Sequence, residues 1–452
     1  MNNQRLQEFT GTSVGRLLWK YSLPSVVGML VMALYNVVDR VFIGQFVGPD
    51  AIAGLAITFP LMNLATAVGV LVGVGASARM SITLGAGRPR EAEDILGNTL
   101  VLTFINAFVY IAAFYVWLDP LLRAFGASDA TLPYARDYIL TLLPGLLLTN
   151  LAFGLNNLMR ASGYPGRAMM TMLLGAVTNV VLDAVLIYWL DLGIRGAAVA
   201  TDIAMAVSAL FVIAHFMRPS VSVRFRRGIY RLKFGLILSI IGIGAAPAIV
   251  NAASCVVQAL VNNSLAAYGT DRDIAAAGIM VTYTSLLVTI VIGMSQGMQP
   301  IVGYNYGAGK YHRLRRTYWL AVTVATVITT VGAIAGLAFP REIGRAFTDD
   351  AQLLDATERA LSQCLVVFPV VGYQVITSCL FQSLGKVWQS ILLGMLRQVL
   401  FLIPLLLLLP KSLGLDGVWL SFPSSDLLAT VVATVMVILL LRRMPKADAG
   451  VV

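Results

Sequence analysis

The sequence predicts an all-α polytopic membrane protein, with twelve transmembrane helices in two six-helix lobes related by a pseudo-two-fold axis along the membrane normal. Composition, the spacing of apolar runs and an internal repeat carry that expectation. Of 452 residues, 58% are hydrophobic and 12% charged, and the mean hydropathy is +0.82. In water such a chain would expose more apolar surface than it can cover, so lipid is its solvent. Apolar runs of about 20 residues, enough to cross roughly 30 Å of hydrocarbon at 1.5 Å per residue, give twelve spans.

In the first half the spans fall near 22–46, 52–78, 95–118, 133–159, 168–190 and 196–217. The first contains Pro24, Tyr35, Asn36, Asp39 and Arg40, the fourth Asn156, the fifth Asn179 and Asp183, and the sixth Thr201 and Asp202. In the second half they fall near 235–268, 275–300, 317–339, 360–384, 388–410 and 417–441. Pro247 interrupts the seventh, and Asp426 lies in WLSFPSSDLL at the opening of the twelfth, where its plain role is to cap or brace the helix. Nothing between Met1 and Lys20 has the basic region, short apolar core and small-residue cleavage site of a signal peptide, so the first span is expected to remain as an anchor.

The repeat ties the halves together. TLGAGRPREAE from Thr83 and NYGAGKYHRLR from Asn305 place Gly85 and Gly87 against Gly307 and Gly309 at an offset of 222. At offsets of 221 to 225, Pro24 pairs with Pro247, Gly75 with Gly297, Pro144 with Pro369, Gly163 with Gly385, and GIRGAAVA from Gly193 with GLDGVWLS from Gly414. An offset kept over the whole length argues for duplication. Six spans per half is an even number, so both halves enter the membrane in the same direction. The lobes are read as 1–217 and 235–452, joined by a basic cytoplasmic linker at 218–234.

Most of the 32 Lys and Arg residues fall at the amino end, in even-numbered loops and at the carboxyl end, which places both termini in the cytoplasm. The net charge of +10 sits at helix ends, where it meets anionic lipid rather than nucleic acid. Cys255, Cys364 and Cys379 lie in spans without Cys-x-x-Cys spacing and read as structural thiols. With His215 and His312 as the only histidines, neither a His-rich metal centre nor a Ser/His/Asp set is available. Gly85-Ala86-Gly87 lacks the Gly-x-x-x-x-Gly-Lys-Ser/Thr pattern of a phosphate loop and reads as a helix connection.

Four acids fall inside spans: Asp39, Asp183, Asp202 and Asp426. An ionisable group at membrane depth costs roughly 2.5–3.5 kcal/mol and is a functional candidate by default. The repeat places Asn262 opposite Asp39 and Pro404 opposite Asp183, so the halves have diverged in the residues able to bind a cation. Counting helix rise, Asp39, Asp183 and Thr201 lie roughly 8–12 Å below the outer surface and can share a pocket. Tyr35 and Asn179 stand one turn from Asp39 and Asp183 on the same helix faces. Two such carboxyls titrate as a coupled unit or take up a cation, as a proton or sodium antiporter requires; the plain alternative is a buried ion pair of Asp39 with Arg40 or a neighbouring base.

With these residues in view, the chain resembles the multidrug and toxic compound extrusion (MATE) transporters, in particular the MepA-like bacterial branch with an amino-lobe cation site. PSVVGMLVMALYNVVDRVFIG from Pro24, the paired GAG loops and SQGMQPIVGYNYGAGK from Ser295 carry the likeness. The resemblance implies a cation-coupling set of Tyr35, Asp39, Asn179, Asp183 and Thr201, with Asn156 nearer the cytoplasm, and Pro24 as a hinge. Asp202 joins the set as a charge that the pattern does not require, as does Arg40, and both leave proton against sodium open. The glutamate on the seventh helix and acid on the tenth that mark another branch are missing, which speaks against a second-lobe cation site.

The expected function is export of chemically varied, often cationic, amphipathic drugs by alternating access, coupled to H+ or Na+. Met172, Met280, Tyr283, Met294 and Met298 offer an adaptable cavity wall, although helix packing accounts for each equally well. No cofactor is implied, and no metal beyond a sodium ion at Asp39 and Asp183. The partners are small-molecule drugs and membrane lipid, the protein works as a monomer, and its place is the bacterial or archaeal cytoplasmic (inner) membrane. The alternatives are a lipid-linked sugar or lipid flippase of the same superfamily, or a polytopic membrane enzyme, for which Arg136 and Asp137 are the one charged pair at the interface.

Overall fold

A computed structural model describes residues 2–46, 49–129, 131–445 and 448; no strand occurs among them. The helices are α1 (Asn2–Gly11), α2 (Val14–Phe46), α3 (Pro49–Gly85), α4 (Pro89–Ala124), α5 (Leu132–Ala161), α6 (Pro165–Asp183), α7 (Gly193–Met217), α8 (Phe234–Tyr268), α9 (Asp271–Gly307), α10 (Tyr311–Ala338), α11 (Pro340–Arg345), α12 (Ala351–Cys364), α13 (Pro369–Ser383), α14 (Val387–Met395), α15 (Ile403–Leu413) and α16 (Leu415–Arg443). Among the described residues, eleven spans are long and apolar enough to cross a membrane, and α12 with α13 supplies a twelfth, bent by 56°. The all-α, twelve-span expectation holds in this form.

The tenth span is therefore not the straight rod that its apolar run from 360 to 384 predicts. Pro369 has no backbone N–H to donate into the preceding turn, so the helix ends at Cys364 and restarts at the proline. Two other spans carry a widened π turn: Ala184–Trp189 directly follows Asp183, and Leu396–Leu402 holds Arg397. Such insertions concentrate at functional sites because they re-aim side chains.

Contacts divide the chain into two compact units: Met1–Gly11 with Val27–Ala248, and Thr12–Val26 with Ile249–Val452. The divisions fall just after Pro24 in α2 and Pro247 in α8, so each of these helices contributes to both units. The core of the first unit is an apolar cluster that includes Ile43, Leu61, Tyr110, Tyr138 and Leu142; that of the second includes Val261, Leu361, Phe368 and Trp419.

Within each unit a glycine lets backbones touch. In the first, a Cβ on Gly75 of α3 would collide with the Ile240 carbonyl oxygen of α8, and one on Gly244 would collide with that of Leu71. In the second, a Cβ on Gly297 of α9 would lie 2.5 Å from the Ser22 Cα of α2. Gly75 and Gly297 are repeat mates, so the duplication preserves a helix contact as well as a letter. The glycines after α3 and α9 do the same for the backbone. Gly87 (φ 71°) and Gly309 (φ 68°) are both left-handed, and the residue after each donates back: Arg88 N to Thr83 O at 3.1 Å, Lys310 N to Asn305 O at 2.8 Å. That is the Schellman closure of a helix, which glycine accepts without a Cβ clash.

Candidate cation-coupling site

α2, α6 and α7 bring the acidic residues of the first unit together. Asp39 is buried on α2, and Asp183, the last residue of α6, is 0% exposed. They lie close enough for their charges to interact. Tyr35, one turn before Asp39, sits in the electrostatic field of both acids. Asn179, one turn before Asp183, donates from Nδ2 to Thr201 Oγ1 of α7 at 3.3 Å. Both Asp183 oxygens and Asn179 Oδ1 are buried and meet no hydrogen-bond donor, and no described Lys or Arg pairs with Asp183. Buried oxygens without donors are costly unless they take up a proton or a hard cation, and this oxygen-only lining fits either.

Of the remaining expected residues, Asp202 alone adjoins this group, through Tyr138. Asn156 Nδ2 donates to the Ala168 carbonyl at 2.7 Å. Eleven residues separate Ala168 from Asn179, about 16 Å along α6. Asp202 Oδ1 rests over Gly145 of α5, in the space that a Cβ there would fill. Met172 packs on Gly28 of α2 within the first unit. In the second unit Met280, Met294 and Met298 are buried, and the Tyr283 hydroxyl donates to the Gly332 carbonyl at 2.7 Å. The side chain of Arg40 lies outside the described residues. Among the described residues no three His, Cys, Asp or Glu side chains converge to hold a metal ion.

Two features escape sequence reasoning. Tyr138 of α5, 5% exposed, stands in the field of Asp39, Tyr35, Asp183 and Asp202 and so links the two ends of the acidic cluster. Its only signal is a phenol in an apolar span, two turns from Gly145 on the same face. In the second unit, Asp426 does not open its helix: it lies eleven residues into α16, and Arg397 Nε binds its Oδ1 at 2.6 Å. Arg136 and Asp137, adjacent in sequence, part company. Arg136 pairs with Asp119 at 3.3 Å and Asp137 with Arg195 at 2.9 Å, all four side chains well exposed.

Twelve helical spans with buried acids among the described residues define a polytopic membrane protein. Residues 24–185 and 246–408 match the MatE family, and the chain belongs to that family of multidrug efflux transporters. It is 27% identical to the FAD transporter of Shewanella oneidensis over 92% of both chains, and 25% identical to the multidrug export protein MepA of Staphylococcus haemolyticus over 100% of this chain and 99% of that one. Its fold matches an outward-facing multidrug resistance MATE family transporter of the MOP superfamily with a TM-score of 0.92, 23% identity and coverage of 99% and 100%. It also matches the MATE multidrug transporter DinF-BH, with a TM-score of 0.87, 34% identity and coverage of 94% and 95%.

Proposed function

We propose that the chain is a proton- or sodium-coupled antiporter that exports amphipathic, often cationic drugs by alternating access, with Asp39 and Asp183 as the coupling pair. The observation that carries this reading is the convergence of Asp39, Tyr35, Asp183 and the Asn179–Thr201 bond in one buried cluster. Tyr138 and Asp202 extend the cluster along α5 and α7. With both termini cytoplasmic, the outward-facing protein takes up the ion at the carboxyls and releases the drug, and ion loss to the cytoplasm restores drug affinity. Coupling of this kind acts equally in both directions, so bound drug must lower ion affinity by the same factor. Pro24 serves as hinge, since the boundary between compact units falls just after it.

Ethidium efflux from vesicles under separately imposed proton and sodium gradients tests the proposal. One gradient should drive efflux in the native protein and fail in Asp39→Asn. Equal efflux by a correctly inserted Asp39→Asn protein would remove this carboxyl from the coupling step. The relation to an FAD transporter favours a second substrate class, phosphate-bearing aromatic compounds, carried by the same cycle.

A further inference from the structure

The second unit holds an arginine that the acidic site does not use. Arg397 lies ten residues past Val387 in its span, Asp426 eleven past Leu415, and Gln374 nine before Ser383, so all three lie about 14–16 Å from their helix ends, near mid-membrane. Arg397 Nε donates to Asp426 Oδ1, and Gln374 Nε2 donates to the Asp426 carbonyl and to Thr430 Oγ1. The Asp426 side chain is 4% exposed and that of Arg397 31%; among the described residues no protein atom accepts a hydrogen bond from the terminal amino groups of Arg397. A guanidinium edge turned to hydrocarbon at this depth is costly, and intramembrane charges as a rule face the bundle interior or a water-filled cavity. Arg397 lies within the π turn Leu396–Leu402. The first half has no counterpart: at the repeat offsets Arg397 falls on Gly175, whose absent Cβ would lie 2.5 Å from Ser208 Oγ of α7, and Asp426 falls on Met205. A tight helix contact in one half is an ion pair with a spare donor edge in the other.

We propose that Arg397 binds the phosphate or carboxylate of an anionic aromatic substrate, with Asp426 fixing its orientation and Gln374 tying α13 to the turn of α16 that carries Asp426. The free edge of the guanidinium presents two parallel N–H donors, the fork that matches an oxyanion bidentately. Asp426 offsets the guanidinium charge when no anion is bound, so the site is not a permanent anion trap. This rests on the transport reading above and deepens it by adding a substrate class.

The test uses the full-length protein in phosphatidylcholine vesicles with flavin mononucleotide and riboflavin, the same ring with and without a phosphate. Native protein should bind the phosphate-bearing flavin at least about tenfold more tightly, as a charge-assisted bidentate contact provides. Arg397→Gln/Asp426→Asn, which removes both charges and leaves neither stranded, should erase that preference, and Arg397→Lys should keep part of it. Riboflavin, which has no phosphate, should bind the double variant as it binds native protein. Equal binding of the two flavins by native protein, or an unaltered preference in the double variant, would overturn the assignment. Loss of riboflavin binding together with the preference would make the pair structural and likewise overturn it. Added phosphatidylglycerol that abolishes the preference in native protein would reassign the site to a lipid headgroup. Failure of the coupling proposal would appear separately, as ethidium efflux indifferent to Asp39→Asn.

Discussion

The first helix of each half makes a direct comparison. On α2, Tyr35 and Asp39 face a buried partner acid on another helix; on α8, the residues at the same places are Gln258 and Asn262, both exposed, and Gln258 Nε2 donates only as far as Asn262 Oδ1, at 3.1 Å. Opposite Asp183 stands Pro404, just after a π turn. The second half moved its intramembrane charge to α14–α16, where Asp426 has Arg397, while Asp183 has no described cation. Yet the scaffold contacts at Gly75 and Gly297 match. Duplication kept the backbone packing and let the charges part: one half holds a buried acid, Asp183, with no described ion pair, the other an acid paired with an arginine.

If this division is correct, Asp183→Asn has the largest effect. It should reduce gradient-driven efflux to background with little loss of thermal stability, because an amide replaces a carboxyl that has no described ion pair to lose; dye efflux and a melting curve on the same sample check both. Arg397→Met should do the reverse in kind. It strands a buried carboxylate, so we expect a loss of about 3 kcal/mol, seen as a lowered melting midpoint, with much of it recovered in Arg397→Met/Asp426→Leu. Gly75→Ala and Gly297→Ala probe what the halves share. Both place a methyl group against backbone and should cost about 1–3 kcal/mol each by chemical denaturation, and a large inequality would break the scaffold half of the comparison.

The smallest effect is expected at Asp350, which caps α12 outside the spans. The Gln352 backbone N–H, at 2.9 Å from Oδ1, and then Arg272 hold its carboxyl below the usual carboxylate range. A depressed value means that the stabilisation is fully present at neutral pH and disappears as pH falls through the folded-state value. Asp350→Ala should therefore lower the melting midpoint slightly at neutral pH and not at strongly acidic pH.

Particular residues show how far the sequence carried these readings. Spans and repeat were legible because lipid demands long apolar runs and duplication leaves glycines in register. Tyr35 with Asp39, and Asn179 with Asp183, were legible as i, i+4 pairs. Tyr138 was not, since only the packing of α5 against other helices brings its phenol near the acids. The Arg397–Asp426 bridge joins residues 29 apart on different helices, and the repeat gave no hint of it because its counterpart is a glycine contact. The break before Pro369 looked like one continuous apolar run, since hydropathy does not register a missing N–H.

Because α2 and α8 each serve both units, the order of synthesis differs from the order of completion. When the ribosome has made the first six spans, the seat on Gly75 still waits for residues 240–244, and the unit closes only once α8 has emerged. The segment Thr12–Val26, made almost first, waits longer, until Gly293 and Gly297 arrive to receive it. A nascent chain halted in the linker would hold neither unit finished, so the membrane must keep the early helices in place until the late ones dock.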